Sequence, residues 1–229
     1  MKILFKYTTR SRCSNFLRGI DSIVNNLSNK EDYHVLISVE NEFHDESMHP
    51  LPQLNCNHTY CVNKNAPISK VEAINRDVNE FEYDWDILVN MSDDVVFIEK
   101  GFDDIIRQSF MIKVGGIIVP VKEIPDYNQC LHLPDGNRKD LLTVSIIGRE
   151  YYYRDKYIYH PDYKSLYCDN EAMEVAKIRG CYKFIDKEIF NHLHPAYSKG
   201  VFDAQYQQTE SFSSLDCQTF IKRKENGFN

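Results

Sequence analysis

Three things are missing from this sequence, and each absence narrows what the chain can be. No apolar run is long enough for a signal peptide or a membrane span, because Met1-Lys2-Ile3-Leu4-Phe5 runs at once into Lys6-Tyr7-Thr8-Thr9-Arg10. A soluble, cytoplasmic protein with no stable membrane insertion is expected. An excess of positive charge is also missing. With 27 Lys and Arg against 34 Asp and Glu the net charge is −7, so no global field would gather nucleic acid or an anionic membrane. Any anionic substrate must be held locally, by a metal ion, Arg or Lys. Finally, the seven cysteines form no small-domain framework, and an odd count without a secretion signal reads as reduced thiols. Cys56-Asn57-His58 with Cys61, and Cys130 with His132, lack a matching second pair at finger spacing and read as ordinary buried or loop residues. No internal repeat, low-complexity tract or linker divides the 229 residues, and 42% hydrophobic content suffices for one sizeable core.

What is present is a strand and helix alternation. Lys2 to Tyr7 patterns as a strand and Cys13 to Leu27 as a helix, with Phe16, Leu17, Ile20, Ile23, Val24 and Leu27 at helical spacing. Strands follow at Tyr33 to Val39, ending at Glu40-Asn41, and at Thr59 to Val62, before Asn63-Lys64-Asn65. A helix over Ser69 to Phe81 leads to the apolar run Ile87-Leu88-Val89. Such alternation implies parallel strands joined by right-handed crossovers, and hence a nucleotide-binding α/β sheet in residues 1–97. Beyond it come a short helix at Gly101 to Ser109, a strand at Gly115 to Val121 and a polar loop at Asp126 to Lys139. A strand from Leu142 to Gly148, an aromatic run over 151–159, a helix from Asp169 to Ile178 and a short final helix at Leu215 to Arg223 complete the chain.

The chemistry concentrates where these elements end. The strand through Leu88 runs into Ser92-Asp93-Asp94, and ligands of open α/β sheets bind beyond the carboxyl ends of the strands. Adjacent carboxylates there repel unless a cation compensates, and hard oxygen ligands favour Mg²⁺ or Mn²⁺ shared with substrate phosphates. At the end of the first strand, Thr8-Thr9-Arg10-Ser11-Arg12 offers hydroxyls and two guanidinium groups before a helix N-terminus. It has no glycine, which separates it from the P-loop and dinucleotide fingerprints. Lys70, Asn75 and Arg76 lie on the helix before the acidic strand, with reach to the same edge. Asp169-Asn170-Glu171 opens a helix whose N-terminus favours a charged, oriented carboxylate suited to general base work. In His192-Leu193-His194 an extended backbone turns both imidazoles to one side, where either can join the aspartates on a divalent ion.

In this order the signals resemble a small GT-A-type glycosyltransferase of the family 2-like kind, over nearly the whole chain. The resemblance implies a single α/β domain, with a Rossmann-like nucleotide-sugar half (1–97) and a mixed-sheet acceptor half with a C-terminal tail (98–229). Thr8, Thr9, Arg10 and Arg12 would begin the donor pocket, with Glu40 near the base and Lys70 and Arg76 on the same edge. Ser92-Asp93-Asp94 stands in place of the Asp-x-Asp motif. Because Ser92 replaces its first carboxylate, Asp94 is the expected metal ligand, and Asp93 holds ribose or binds through water. His192 or His194 stands for the late metal-binding histidine, and Asp169, with Glu171 as the competing choice, for the catalytic base. The tail from Asp216 to Phe228, with Arg223 and Gly227-Phe228, also fits. The implied activity is inverting, Mn²⁺- or Mg²⁺-dependent transfer of a sugar from a nucleoside diphosphate sugar to a hydroxyl of a glycan, a protein or a modified DNA base. Tyr151 to Tyr159 and the Asp135-Gly136-Asn137 loop are expected beside the acceptor. The alternatives are a Mg²⁺-dependent nucleotidyltransferase and a catalytically inactive nucleotide-sugar-binding module.

Overall fold

The computed structural model describes residues 1–10, 12–40, 51–63, 69–116 and 120–229. Ser11, Asn41, Lys64, Asn65 and residues 117–119, all named in the expectations above, lie outside that set. Four strands, β1 (Ile3–Thr9), β2 (Tyr33–Glu40), β3 (His58–Asn63) and β4 (Ile87–Met91), are connected in part by helices α1 (Cys13–Asn26) and α2 (Lys70–Asn75). β2 and β4 flank β1, β3 lies outside β2, and all these pairings are parallel, with Ile3 opposite both Tyr33 and Ile87. All of β4 is buried, as the apolar run of a strand covered on both faces requires.

Alternate residues of β1 feed two cores. Ile3, Phe5 and Tyr7 pack with Phe16, Ile20 and Ile23 of α1 and with Phe102 and Ile106 of α3 (Phe102–Ser109). Leu4 points the other way, toward Val71 and Ile74 of α2, Tyr151 and Tyr152 of α4 (Arg149–Tyr153), and Met173 and Ala176 of α5 (Cys168–Ile178). Period 2 along the strand and 3.6 along the helices thus produce an α/β/α arrangement. α1 approaches so closely that a Cβ on Gly19 would lie 2.0 Å from the Tyr7 hydroxyl.

The second half departs from its expected elements. Met111–Val114 (β6) and Lys122–Pro125 (β7) pair as an antiparallel hairpin. The described ends of the expected strand at 115–121 belong to its connection, where Gly115 has a left-handed φ of 97°. A short strand, β8 (Cys130–His132), sits inside the expected loop, and β9 is confined to Ile146–Gly148. β9 runs antiparallel to β4 and to β8, and β10 (Tyr182–Phe184) runs parallel to β8. The seven strands form one mixed sheet in the order β10-β8-β9-β4-β1-β2-β3. β5 (Val95–Phe97) pairs antiparallel with β11 (Phe190–His192) in a separate ribbon.

α2 stops at Asn75 instead of continuing to Phe81. Asn75 Oδ1 accepts the backbone N–H groups of Ile158 and Tyr159 at 2.8 and 3.1 Å, and Asp77, at a left-handed φ of 72°, accepts the Ser38 hydroxyl. These bonds compete with continuation of the helix ladder. Two helices close the chain, α6 (Ala204–Ser211) and α7 (Ser213–Glu225). Among the described residues no helix is long and apolar enough to cross a membrane.

Candidate active site

A cavity of about 200 Å³ lies beyond the carboxyl ends of β1, β2 and β4. Thr8, Thr9, Arg10 and Arg12 enter it from the end of β1, Glu40 from the end of β2, and Lys70 from the first residue of α2. Arg10 Nε lies 2.7 Å from Glu40 Oε2. Burial raises the Glu40 pKa and Arg10 opposes the rise. Arg12 makes a two-pronged contact with Asp203, at 2.7 and 2.6 Å, reaches Asp93 at 3.2 Å, and stacks 4.2 Å from the Tyr206 ring. Burial disfavours its charge, but Asp203 and Asp93 more than compensate.

The acidic turn follows directly from β4, and both carboxylates are buried. Burial first, then the Asp94 charge, push Asp93 up to about 6 against the pull of Arg12. Asp94 is held well below the usual carboxylate range: burial acts upward, but hydrogen bonds from His192, Ser92 and Tyr206 outweigh it. The β5–β11 register sets His192 opposite Val95, beside Asp94. Its Nε2 is 3.2 Å from Asp94 Oδ2 and its Nδ1 3.4 Å from Asp135 Oδ2. Burial works against the imidazolium, but Asp135 and Asp94 raise it to about 9. Asp135 also accepts the N–H groups of Asn137 and Arg138, at 2.9 and 2.8 Å, so this loop orients His192. The His194 ring lies 5.3 Å from that of His192 and 5.0 Å from Tyr206, which puts both imidazoles on one side as the extended segment implies.

Asp169, in the first turn of α5, also lines the cavity. Burial raises its pKa, and the nearby Lys70 charge lowers it. Around it stand Asn90, Tyr159, Ser165 and Cys168. Thr9 Oγ1, Asn90 Oδ1, Asp93 Oδ2 and Ser165 Oγ are buried and find no hydrogen-bond partner among the described residues. Leaving such an atom unmade costs about 1–3 kcal/mol each, so the lining is matched to a polar ligand.

Several expected residues stand elsewhere. Glu171 does not line the cavity: its carboxylate is buried against Arg223, at 2.9 Å from both Nε and Nη2, and accepts the Tyr163 hydroxyl at 2.7 Å. Both oxygens are committed, which removes it as the competing base. Arg76 also lies outside the lining, 3.4 Å from Asp77, where its charge acts on Glu40. Of the tyrosines at 151–159 only Tyr159 reaches the cavity; Tyr151 and Tyr152 are core residues. The Asp135 loop supports His192 and contributes nothing to the lining. Tyr206, Asp203 and Asn90 were not expected: the first two lie on a segment without an apolar period, and Asn90 is one polar residue inside a buried strand.

The carboxylates at the acidic turn fit a divalent ion by chemistry, since hard oxygen ligands suit Mn²⁺ or Mg²⁺ and Asp93 Oδ2 lacks a partner. Among the described residues no three His, Cys, Asp or Glu side chains are grouped to hold a metal ion. Asp94 is engaged by Ser92, Tyr206 and His192, so coordination would require these donors to turn away.

No protein-family model matches this sequence, and no curated protein matches it in sequence. Its fold is that of the GT-A glycosyltransferases. Residues 1–349 of S. aureus TarS in complex with UDP superpose with a TM-score of 0.59 at 11% identity, over 83% of this chain and 60% of that one. The mannosyltransferase PcManGT from Pyrobaculum calidifontis, in complex with GDP-Man and Mn²⁺, gives 0.58 at 11% identity over 82% and 55%. A mutant of Drosophila β1,4-galactosyltransferase 7 with manganese, UDP-Gal and xylobiose gives 0.50 at 11% identity over 91% and 79%. The chain thus spans little more than half the length of the TarS 1–349 and PcManGT structures.

Proposed function

We propose that this chain transfers a sugar from a nucleoside diphosphate sugar to an acceptor hydroxyl with inversion at the anomeric carbon. The observation that carries this reading is the convergence, in one cavity at the strand ends, of Arg10 and Arg12, the Asp93-Asp94 turn with His192, and Asp169. Structures of the same fold bind UDP, UDP-GlcNAc or GDP-Man, which supports a donor of that chemical class.

Each residue has a task that its chemistry suits. Asp169 takes the proton of the acceptor hydroxyl, and its raised pKa brings it toward the range in which a carboxylate is an effective base. Direct displacement, in which the acceptor oxygen bonds to the anomeric carbon as the bond to the departing diphosphate breaks, inverts that carbon. Arg12 and Arg10 bind the diphosphate, Arg12 with the planar fork that matches phosphate oxygens. Glu40 lies toward the base and Asp93 toward the ribose. Asp94, with His192 or His194, would hold a Mn²⁺ or Mg²⁺ ion, which when bound neutralises charge on the departing diphosphate.

A thermal-shift and hydrolysis screen against nucleoside diphosphate sugars, with and without Mn²⁺, tests this reading. Metal-dependent stabilisation by one donor, growing with concentration as RT ln(1 + [L]/Kd), supports the proposal and identifies the sugar. A response to nucleoside triphosphates alone would replace it with nucleotidyl transfer. Donor binding without hydrolysis or transfer would leave a binding module.

A further inference from the structure

The face of α7 turned to the protein is devoted to one segment, the strained approach to Asp169. Asp216, Phe220 and Arg223 recur at i, i+4 and i+7, on one side of the helix. Asp216 is fully buried, and its carboxylate accepts the backbone N–H groups of Lys164, Ser165 and Leu166 at 2.9, 2.8 and 2.8 Å. Phe220 lies 5.9 Å from the ring of Tyr167, which has a left-handed φ of 59° although it is not glycine. Arg223 grips Glu171, two residues beyond Asp169, with two bonds of 2.9 Å. A non-glycine residue in that backbone region persists only where its surroundings over-determine it. Here the over-determination comes from a helix more than forty residues further along the chain.

The segment held in this way forms a wall of the cavity. Ser165, Leu166, Cys168 and Asp169 line it, and the buried Ser165 hydroxyl has no partner among the described residues. We infer that Asp216 is a positioning residue: through three backbone amides it sets the approach to α5, and so the place of the Asp169 carboxylate and the Ser165 hydroxyl relative to the acceptor. Arg223 makes the same adjustment from the other side, through Glu171. The inference rests on Asp169 acting as the base, as proposed above. It assigns the buried ion pair a catalytic consequence that a purely structural strut would not have, because a displacement of about 1 Å in a reacting group costs about a hundredfold in rate.

The test is Asp216→Asn in the full chain, which keeps the side-chain volume but replaces one accepting oxygen by a donor facing backbone N–H groups. The expected result is a folded protein with donor dissociation constant within about twofold of the wild type and kcat for transfer lowered about thirty- to a hundredfold. Hydrogen exchange should quicken selectively over residues 164–171. Arg223→Lys, which keeps the charge and loses the two-pronged grip, should show the same split in milder form, and it provides the readout if Asp216→Asn does not fold. A kcat within twofold of the wild type, or kcat and donor affinity falling together with the folded fraction, would overturn the assignment. If the wild type transfers no sugar, the proposed function fails, and unchanged exchange over 164–171 would still overturn the positioning role by itself.

Discussion

Asp169 is held between two opposing influences, burial and the charge of Lys70, and the first is the stronger. A base works only when unprotonated, so a raised pKa moves loss of activity to higher pH than an ordinary Asp, near 3.9, would give. The acid limb of the kcat profile is expected above that value, and Lys70→Ala should move it further up by removing the lowering charge. Asp169→Asn should cost about 10²–10⁴-fold in turnover and leave donor binding intact by calorimetry. Normal turnover of that variant would end the assignment. At the acidic turn, Asp94→Ala should abolish the Mn²⁺-dependent part of donor affinity, and an unchanged titration with donor plus Mn²⁺ would remove Asp94 from the metal site. Asp103 gives a contrast in stability alone. Its fully buried carboxylate accepts the N–H groups of Ser28 and Asn29 at 2.8 and 3.0 Å and pairs with Arg107, and these bonds outweigh burial and lower its pKa. A depressed pKa stabilises above the unfolded value of about 3.9 and that contribution is lost as pH falls through the folded value. Asp103→Asn should therefore cost about 2–3 kcal/mol at neutral pH, measured as a lower urea midpoint with kcat per folded molecule unchanged.

At the scale of elements, α6 and the residue before it contact the arginines proposed above to bind the donor diphosphate. Asp203, just before it, occupies Arg12 with two bonds, Tyr206 donates to Asp94, and Gln208 accepts from Arg10 at 3.0 Å. A diphosphate reaching Arg12 has to displace a carboxylate whose side chain is 37% exposed, while Arg12 itself is only 10% exposed, and a two-pronged pair of this kind stands at the upper end of the surface range, about 1 kcal/mol. Asp203→Ala should therefore tighten donor binding about three- to fivefold by calorimetry. Weaker binding would instead show that α6 closes over the bound donor and contributes to holding it. The sequence offers no sign of α6, because Ala204 to Ser211 carries no apolar stripe and its single buried residue, Tyr206, is placed by the cavity it covers. Where hydrophobic period governs, as in β1, α1, β2 and α5, boundaries fall within about two residues of expectation. Where a side chain makes a tertiary bond, as at Asn75 and Asp77, or where strands are only three residues long, as in β8 and β9, local pattern carries too little information. The site divides in the same way. Asp93, Asp94, Asp169 and the arginines stand out because they lie where elements end or begin, whereas Glu171 looks identical to Asp169 until Arg223 is brought to it from α7.

At the scale of the whole molecule, the distribution of charge bears on the acceptor. Five of the Lys and Arg residues that could gather into a basic face are instead matched with acids. Arg107 pairs with Asp103, Lys113 with Glu123 at 3.9 Å, Arg138 with Asp140 at 2.8 Å, Lys139 with Asp186 at 2.7 Å, and Arg149 with Asp84 at 2.9 Å. Binding to duplex DNA depends on releasing counterions from phosphates, and each phosphate contact needs a cation not already neutralised by its own protein. With a net charge of −7 and these cations paired, the electrostatic work of approach to a polyanion is unfavourable. The glycan and protein acceptors are therefore favoured over a modified base in duplex DNA. The expected result in a fluorescence anisotropy titration at about 0.15 M salt is no retention of a 20-base-pair duplex at micromolar protein, with or without donor, beyond the range of about 10⁻⁴–10⁻⁶ M typical of non-specific binding. Saturable binding whose affinity falls steeply with salt would show that a basic groove forms on engagement, and would return DNA to the acceptors worth assaying. The choice between the two remaining classes turns on the cavity wall that carries Asp169. Ser165 beside it and Asn90 of β4 present unpartnered hydroxyl and amide oxygens to the same cavity, which suit the hydroxyls of a sugar ring, and an oligosaccharide panel is the assay to run first.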